Sequence, residues 1–460
     1  MKRLFGTCLL LLLVLASFAK TPKYVFYFIG DGMGPSHVIG TELYLGELKG
    51  EIGRPQKLCF TQFPNSAFVS TFSKTNGVTD SAASGTALAT GSKTKNGYLG
   101  VTVDNEPVYS VAYAAKKAGY AVGVSSTVSV GHATPGAFYA HQPGRSRHDE
   151  ISEDMLIADY DFYAGGDLLC SSEKREEIYS KAKNQGYTIA RGFDDYKQNG
   201  KNAKKLMLYQ KEVASDLPYA LDREEGDLTL AQITEAGIEY LTKKSKNKKG
   251  FFLMVEGGKI DYASHADDGA TMLNEVIDFD NAIKVAYEFY KKHADETLIV
   301  VTADHETGGL VLGYSGAYAL NLKALAGQKV SADRMASILR RASRARMELR
   351  WERVEELLKE YFGIGETVQL TKEETHELRA YFEQAYATTD IAKRESKLSS
   401  IASRAKQMIN SKALLSWAGP NHSASFVPLF AIGAGAEKFN GVIDNTDMPK
   451  IIKKVAKYGK

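Results

Sequence analysis

The sequence predicts an α/β protein: a doubly wound, mostly parallel central sheet flanked by helices, with an inserted helical subdomain. Three observations lead there. Short apolar runs rich in β-branched and aromatic residues lack polar alternation, as strands covered on both faces do. Helical periodicity lies between those runs, and strands alternating with helices build parallel sheets. One stretch, residues 331–411, breaks the rhythm: it is charged, with no proline and almost no glycine.

The 460-residue chain opens on Lys2 and Arg3, an apolar run at 8–15, and Ser17-Phe18-Ala19, a small-x-small site. That pattern reads as a signal peptide over residues 1–19, and the run is short for a membrane span. Residues 20–460 then read as one exported domain, periplasmic or secreted. Strands are expected at 24–29, 251–255, 298–302 and 426–432. A helix is expected after Asp268, where Met272, Val276, Phe279, Ile283, Tyr287 and Tyr290 recur at three- and four-residue steps. The helical insertion at about 331–411 carries Arg334, Arg340, Arg341, Arg344, Arg346, Arg350 and Arg353. Mixed with Glu352, Glu355, Glu356 and Glu360, they read as a solvated face in preference to a dock for an anionic partner.

Composition narrows the class. Hydrophobic residues make up 44% and charged residues 25% of the chain, enough for a sizeable core. The net charge of +3, without a dense basic block, excludes a nucleic-acid-specific arm. Cys59 and Cys170 remain beyond the leader, as one bridge or two free thiols. The polar end at residues 457–460 is no hydrophobic tail, so no membrane anchor is expected.

Acids and histidines sit where strands end. Asp31 follows the first strand, Glu256 the second, and Asp304-His305 the third. Ligands of open α/β sheets bind outside the carboxyl ends of strands. Carboxylates delivered to one rim repel unless cations lie between them. Asp261 and His265, four apart, share one face of a helical turn, and His422 precedes the fourth strand. Carboxylates with imidazoles and no thiols suit catalytic zinc. Ser81, among small residues, sits where a loop runs into a helix, whose N-terminus favours anions.

The strings FIGDGMG, VTDSAASGTA, GHATPGAFYAH, VEGGKIDYASH, TADHETGG and PNHSAS occur in this order. Together they resemble the alkaline phosphatase family. The resemblance implies hydrolysis of small phosphate monoesters through a phosphoserine on Ser81, in an enzyme whose relatives are often homodimers. It implies two Zn²⁺, the first held by Asp261, His265 and His422, the second by Asp31, Asp304 and His305. One Mg²⁺ would take Asp31, Thr134 and Glu256. Arg145 matches the phosphate-binding arginine by ungapped spacing from Thr134, with Arg147 the alternative. His132 stands where the best-known bacterial pattern has Asp, and Tyr262 where it has Lys. Both positions bear on the third metal, not on the reaction. A phosphodiesterase of the same superfamily is the rival. Ser81, Thr134 and Glu256 argue against it, and no sulfatase motif is visible. A non-catalytic metal or phosphate binder is a weaker alternative.

Overall fold

The computed structural model describes residues 21–460 except 246–247, 315, 317, 345–348 and 460. The leader at 1–19 and Arg346 lie outside the described residues. Among the described residues, no helix is long and apolar enough to cross a membrane.

Ten strands form one sheet. In chain order they are β1 (Tyr24–Gly30), β2 (Asn65–Ser70), β3 (Ala121–Ser129), β4 (Phe162–Gly166), β5 (Tyr187–Arg191), β6 (Lys205–Tyr209), β7 (Phe251–Gly257), β8 (Thr297–Thr302), β9 (Val427–Gly433) and β10 (Gly441–Asp444). The spatial order is β10-β2-β9-β8-β1-β7-β3-β4-β6-β5. The middle strands β8, β1, β7 and β3 run parallel to one another. Their apolar runs are buried along almost their whole length. Each Phe, Ile or Val so placed contributes roughly 1.5–3 kcal/mol. The helix after Asp268 spans Gly269–Lys292 and turns Met272, Val276, Phe279 and Ile283 into the core.

The 426–432 run departs from its reading as a central strand. Its strand, β9, is antiparallel to both β8 and β2 and lies third from the edge. Phe430 and Ile432 are only partly buried. Pro428, which cannot donate to a ladder, marks such a peripheral strand. The reversal has a consequence for the site. Because β9 runs against β8, it starts at the rim where β8 ends, so the residues just before it arrive at that rim.

Residues 332–412 contain the helices Ala332–Arg344, Trp351–Phe362, Lys372–Tyr386 and Ile391–Lys412. Gly363, in the left-handed region, ends the second, and a capping box at Thr371 and Glu374 starts the third. Several of the arginines meet acids: Arg334 with Glu224, Arg344 with Glu395 and Arg353 with Glu356. Cys59 and Cys170 are both free thiols.

Candidate active site

Four adjacent parallel strands end together and set the site. Ile29 pairs with Thr302 on one side and Glu256 on the other, and Glu256 pairs with Ser126. This register brings the residues following β8, β1 and β3 to one rim, beside Glu256 in β7. Asp304 and His305, Asp31, and Thr134 therefore converge with Glu256, and all five are fully buried. His422 arrives from the start of β9.

Ser81 is the first residue of the helix Ser81–Thr90, capped by Asp80, whose carboxylate accepts from the Ala83 amide at 2.9 Å. All ten helix residues are buried. Gly85 permits this depth: a Cβ there would lie 3.3 Å from Thr134 Cα and from Ala137 Cβ. The close approach sets Ser81 beside the carboxylate cluster, with Oγ 3.2 Å from His305 Nε2.

Asp304, Glu256 and Asp31 each have one oxygen in hydrogen-bonding contact and one bare. Asp304 Oδ1 accepts from the amides of Gly32 and His305 at 3.1 and 2.9 Å. Glu256 Oε2 accepts from Ser126 Oγ. Asp31 Oδ2 lies 3.5 Å from Thr134 Oγ1. Among the described residues, Asp304 Oδ2, Glu256 Oε1 and Asp31 Oδ1 have no hydrogen-bond partner. Bare buried carboxylate oxygens cost several kcal/mol in order of magnitude unless a proton or cation compensates them. Burial, then the charges of Asp304, Asp261 and Glu256, pushes Asp31 well above the usual carboxylate range. Burial raises Glu256 to about 8 against the Ser126 hydrogen bond. Burial and the Asp261 charge raise Asp304 to about 7.

Among the described residues, three groups bring their ligand atoms within 4.8 Å of one another: Asp261 with His305 and His422, Asp31 with Asp304 and His305, and Asp31 with His132 and Glu256. His265 joins the first through His422, with the two Nε2 atoms 3.1 Å apart. Its own Nε2 lies 3.3 Å from Asp261 Oδ1. Backbone carbonyls fix these rings. His265 Nδ1 donates to Pro420 O at 2.5 Å and His422 Nδ1 to Thr79 O at 2.8 Å. A carbonyl only accepts, so Nδ1 carries a proton in both rings and Nε2 is the atom that faces the cluster. Burial pushes Asp261 up, but hydrogen bonding with His265 and the nearby His305 bring it below the usual range. The same hydrogen bond raises His265 to about 9 against burial.

Arg145 stands at the mouth. Its guanidinium donates to Asp80 Oδ2 and to His132 Nε2, both at 3.1 Å. Asp80 Oδ2 also accepts from the Gly97 amide, and the Arg145 amide donates to Gly97 O. Burial, then the Arg145 charge, lowers His132 to about 3, so it is a neutral acceptor. Arg147 instead lies 3.7 Å from Glu150 and is half exposed. Tyr262 meets the His132 ring edge-on at 5.9 Å, and the Lys259 ammonium lies 5.3 Å from the Tyr262 ring. Asp80 and Ser126 were not singled out in the sequence. Asp80 had a signal, its N-cap position beside Ser81.

The comparisons with known proteins agree on a class. The chain matches the alkaline phosphatase family over residues 22–160 and 171–458. It is 32% identical over 448 residues to alkaline phosphatase 4 of Bacillus subtilis, covering 95% of this chain and 89% of that protein. Its structure resembles the cold-active alkaline phosphatase of a psychrophilic Shewanella, with TM-score 0.80 and 29% identity over 94% of this chain and 99% of that one. It also resembles a variant of the alkaline phosphatase of the Antarctic bacterium TAB5, solved with Mg bound in its M3 site. There the TM-score is 0.66 and the identity 27%, over 96% of this chain and 100% of that one. These relatives define a phosphoric monoester hydrolase built on this α/β sheet. The chain belongs to the alkaline phosphatase family and hydrolyses phosphate monoesters.

Proposed function

We propose that this chain hydrolyses phosphate monoesters through a phosphoserine on Ser81, using two Zn²⁺ and one Mg²⁺. The observation that carries the reading is the convergence of bare carboxylate oxygens beside Ser81 Oγ. The donor set fits. Asp261, His265 and His422 would hold one Zn²⁺, and Asp31, Asp304 and His305 the other. Asp31, Thr134 and Glu256, an all-oxygen set, would hold the Mg²⁺. Bound divalent cations would stabilise negative charge on the Ser81 oxygen and on the departing alkoxide. Ser81 supplies the nucleophile, and the helix N-terminus behind it favours the incoming anion. Arg145 grips non-bridging oxygens of the phosphoryl group, oriented by Asp80 and His132. Residues 1–19 direct export to the periplasm or the medium, and residues 20–460 form the catalytic domain with a helical insertion at about 331–411. The test counts zinc and magnesium in purified protein beside rates for a matched aryl monoester and diester. Metal bound in no stoichiometric amount, or a preference for the diester, overturns the reading.

Metal-free protein should lose stability as pH rises from about 6.5 to about 9. The unfolded chain has lost the Glu256 and Asp304 protons by pH 6.5. The folded chain keeps them up to about 8 and about 7 respectively. Unfolding there releases protons, so stability falls as pH rises. His265 acts with the same sign: its contribution is complete below about 6.5 and lost as pH passes about 9. The lowered imidazoles His132 and His305 titrate below this window. The measurement is the urea midpoint of metal-stripped protein across it. A midpoint that rises with pH contradicts the burial of these carboxyls together.

Tyr262→Lys should tighten inhibition by inorganic phosphate about tenfold, the worth of one charge-assisted hydrogen bond. Burial raises the Tyr262 phenol above its ordinary range, so it is neutral, as is His132. An inhibition constant that is unchanged or weaker, at equal metal content, counts against this account.

A further inference from the structure

We infer that Thr307 is a positioning residue that serves both proposed zinc sites through a single hydroxyl. The inference rests on the reading of Asp261 and His305 as metal ligands. Thr307 is fully buried. It lies in the short strand Glu306–Thr307, which pairs antiparallel with His422–Ser423, placing Thr307 opposite His422. Its Oγ1 is 2.5 Å from Asp261 Oδ1 and 3.2 Å from His305 Nδ1. One ligand belongs to the first proposed zinc site and the other to the second.

Hydrogen-bond chemistry fixes the direction of both contacts. A hydroxyl has one proton to donate and lone pairs to accept with. A carboxylate that serves as a metal ligand can only accept, so Thr307 donates to Asp261. The contact with His305 must then run the other way, from Nδ1–H to the Thr307 oxygen. An imidazole that serves as a metal ligand is neutral and carries one N–H. With that proton at Nδ1, Nε2 is a bare lone pair. Nε2 is the atom that faces Ser81 Oγ at 3.2 Å, Asp304 Oδ2 at 3.2 Å and Asp31 Oδ1 at 3.4 Å. One hydroxyl thus sets the tautomer of His305 and the orientation of Asp261.

The backbone supports the same arrangement. The Thr307 amide donates to Gly32 O at 3.1 Å, next to Asp31. Gly32 has φ +73°, and a Cβ there would lie 2.7 Å from Thr307 Oγ1 and 3.0 Å from Asp261 Oδ1. A side chain at 32 would occupy the space that this hydrogen bond fills. Thr307 therefore ties the loop after β1, the helix Lys259–His265 and the segment after β8 to one another.

The test uses the full chain stripped of metal and titrated with zinc against a chromophoric chelator. Thr307→Val replaces the hydroxyl by a methyl group of similar volume. Both zinc equivalents should weaken together, each by roughly tenfold to a hundredfold, the usual effect of losing a group that orients a ligand. Thr307→Ser keeps the hydroxyl and should stay within about threefold of the parent. Asp304→Asn should weaken one equivalent far more than the other. If Thr307→Val does not fold by circular dichroism, Thr307→Ala removes the same hydroxyl without demanding room. A hydroxyl-free variant that keeps both affinities, or loses only one, overturns the inference, as does Thr307→Ser failing like Thr307→Val. Failure of the parent protein to bind two equivalents at all strikes instead at the metal reading beneath it.

Discussion

Ser81→Ala should lower kcat/KM for an aryl phosphate monoester roughly a thousandfold or more, the scale on which hydrolases lose rate with their nucleophile. Metal content should stay nearly intact. Ser81 Oγ touches the cluster through His305 Nε2, whereas the bare oxygens of Asp31, Asp304 and Glu256 do not depend on it. Fold should survive as well, since alanine is the best helix former and Asp80 still caps the helix. Labelled substrate, quenched at mildly acidic pH, should leave phosphate on Ser81 in the parent and on no residue in the variant. Phosphate trapped on another side chain, or a rate loss below about tenfold with full metal occupancy, removes Ser81 from the nucleophile's place.

The middle of the sheet was legible because its strands are buried on both faces. Runs such as residues 24–29 and 251–255 carry no polar alternation, and the acids that follow them stand out against it. Direction was not legible: nothing in residues 426–432 says that β9 runs against β8. That reversal explains why His422 precedes its strand while Asp31, Asp304 and His305 follow theirs. Arg145 and Arg147 were equivalent by residue type, two positions apart in one loop. The fold separates them: Arg145 turns inward between Asp80 and His132, and Arg147 turns outward to Glu150. Thr307 and Ser126 escaped notice because hydroxyls are common everywhere in a sequence. Their part depends on a single proton's direction, which only three-dimensional placement reveals.

Arg145→Ser should slow monoester hydrolysis by roughly tenfold to a thousandfold while slowing a matched diester much less. A monoester offers at least two unsubstituted charged oxygens, which suit a planar guanidinium fork. A diester has one of them capped, so the fork loses a partner. The loss is set at about 2–4 kcal/mol by analogy with an oxyanion donor, with about 1.4 kcal/mol per factor of ten. The fork comes preoriented: Asp80 Oδ2 and His132 Nε2 each hold one terminal nitrogen at 3.1 Å. Little side-chain entropy is then lost when phosphate arrives. The same holders make a second arm to the experiment. Asp80→Ala removes the anchor but leaves the charge, so Arg145 regains freedom and the monoester rate should fall less than in Arg145→Ser. Measuring kcat/KM for the aryl monoester and diester in all three proteins decides the matter. Equal losses on both substrates in Arg145→Ser would mean that this guanidinium does not read the extra charged oxygen, and Arg147 becomes the residue to replace next.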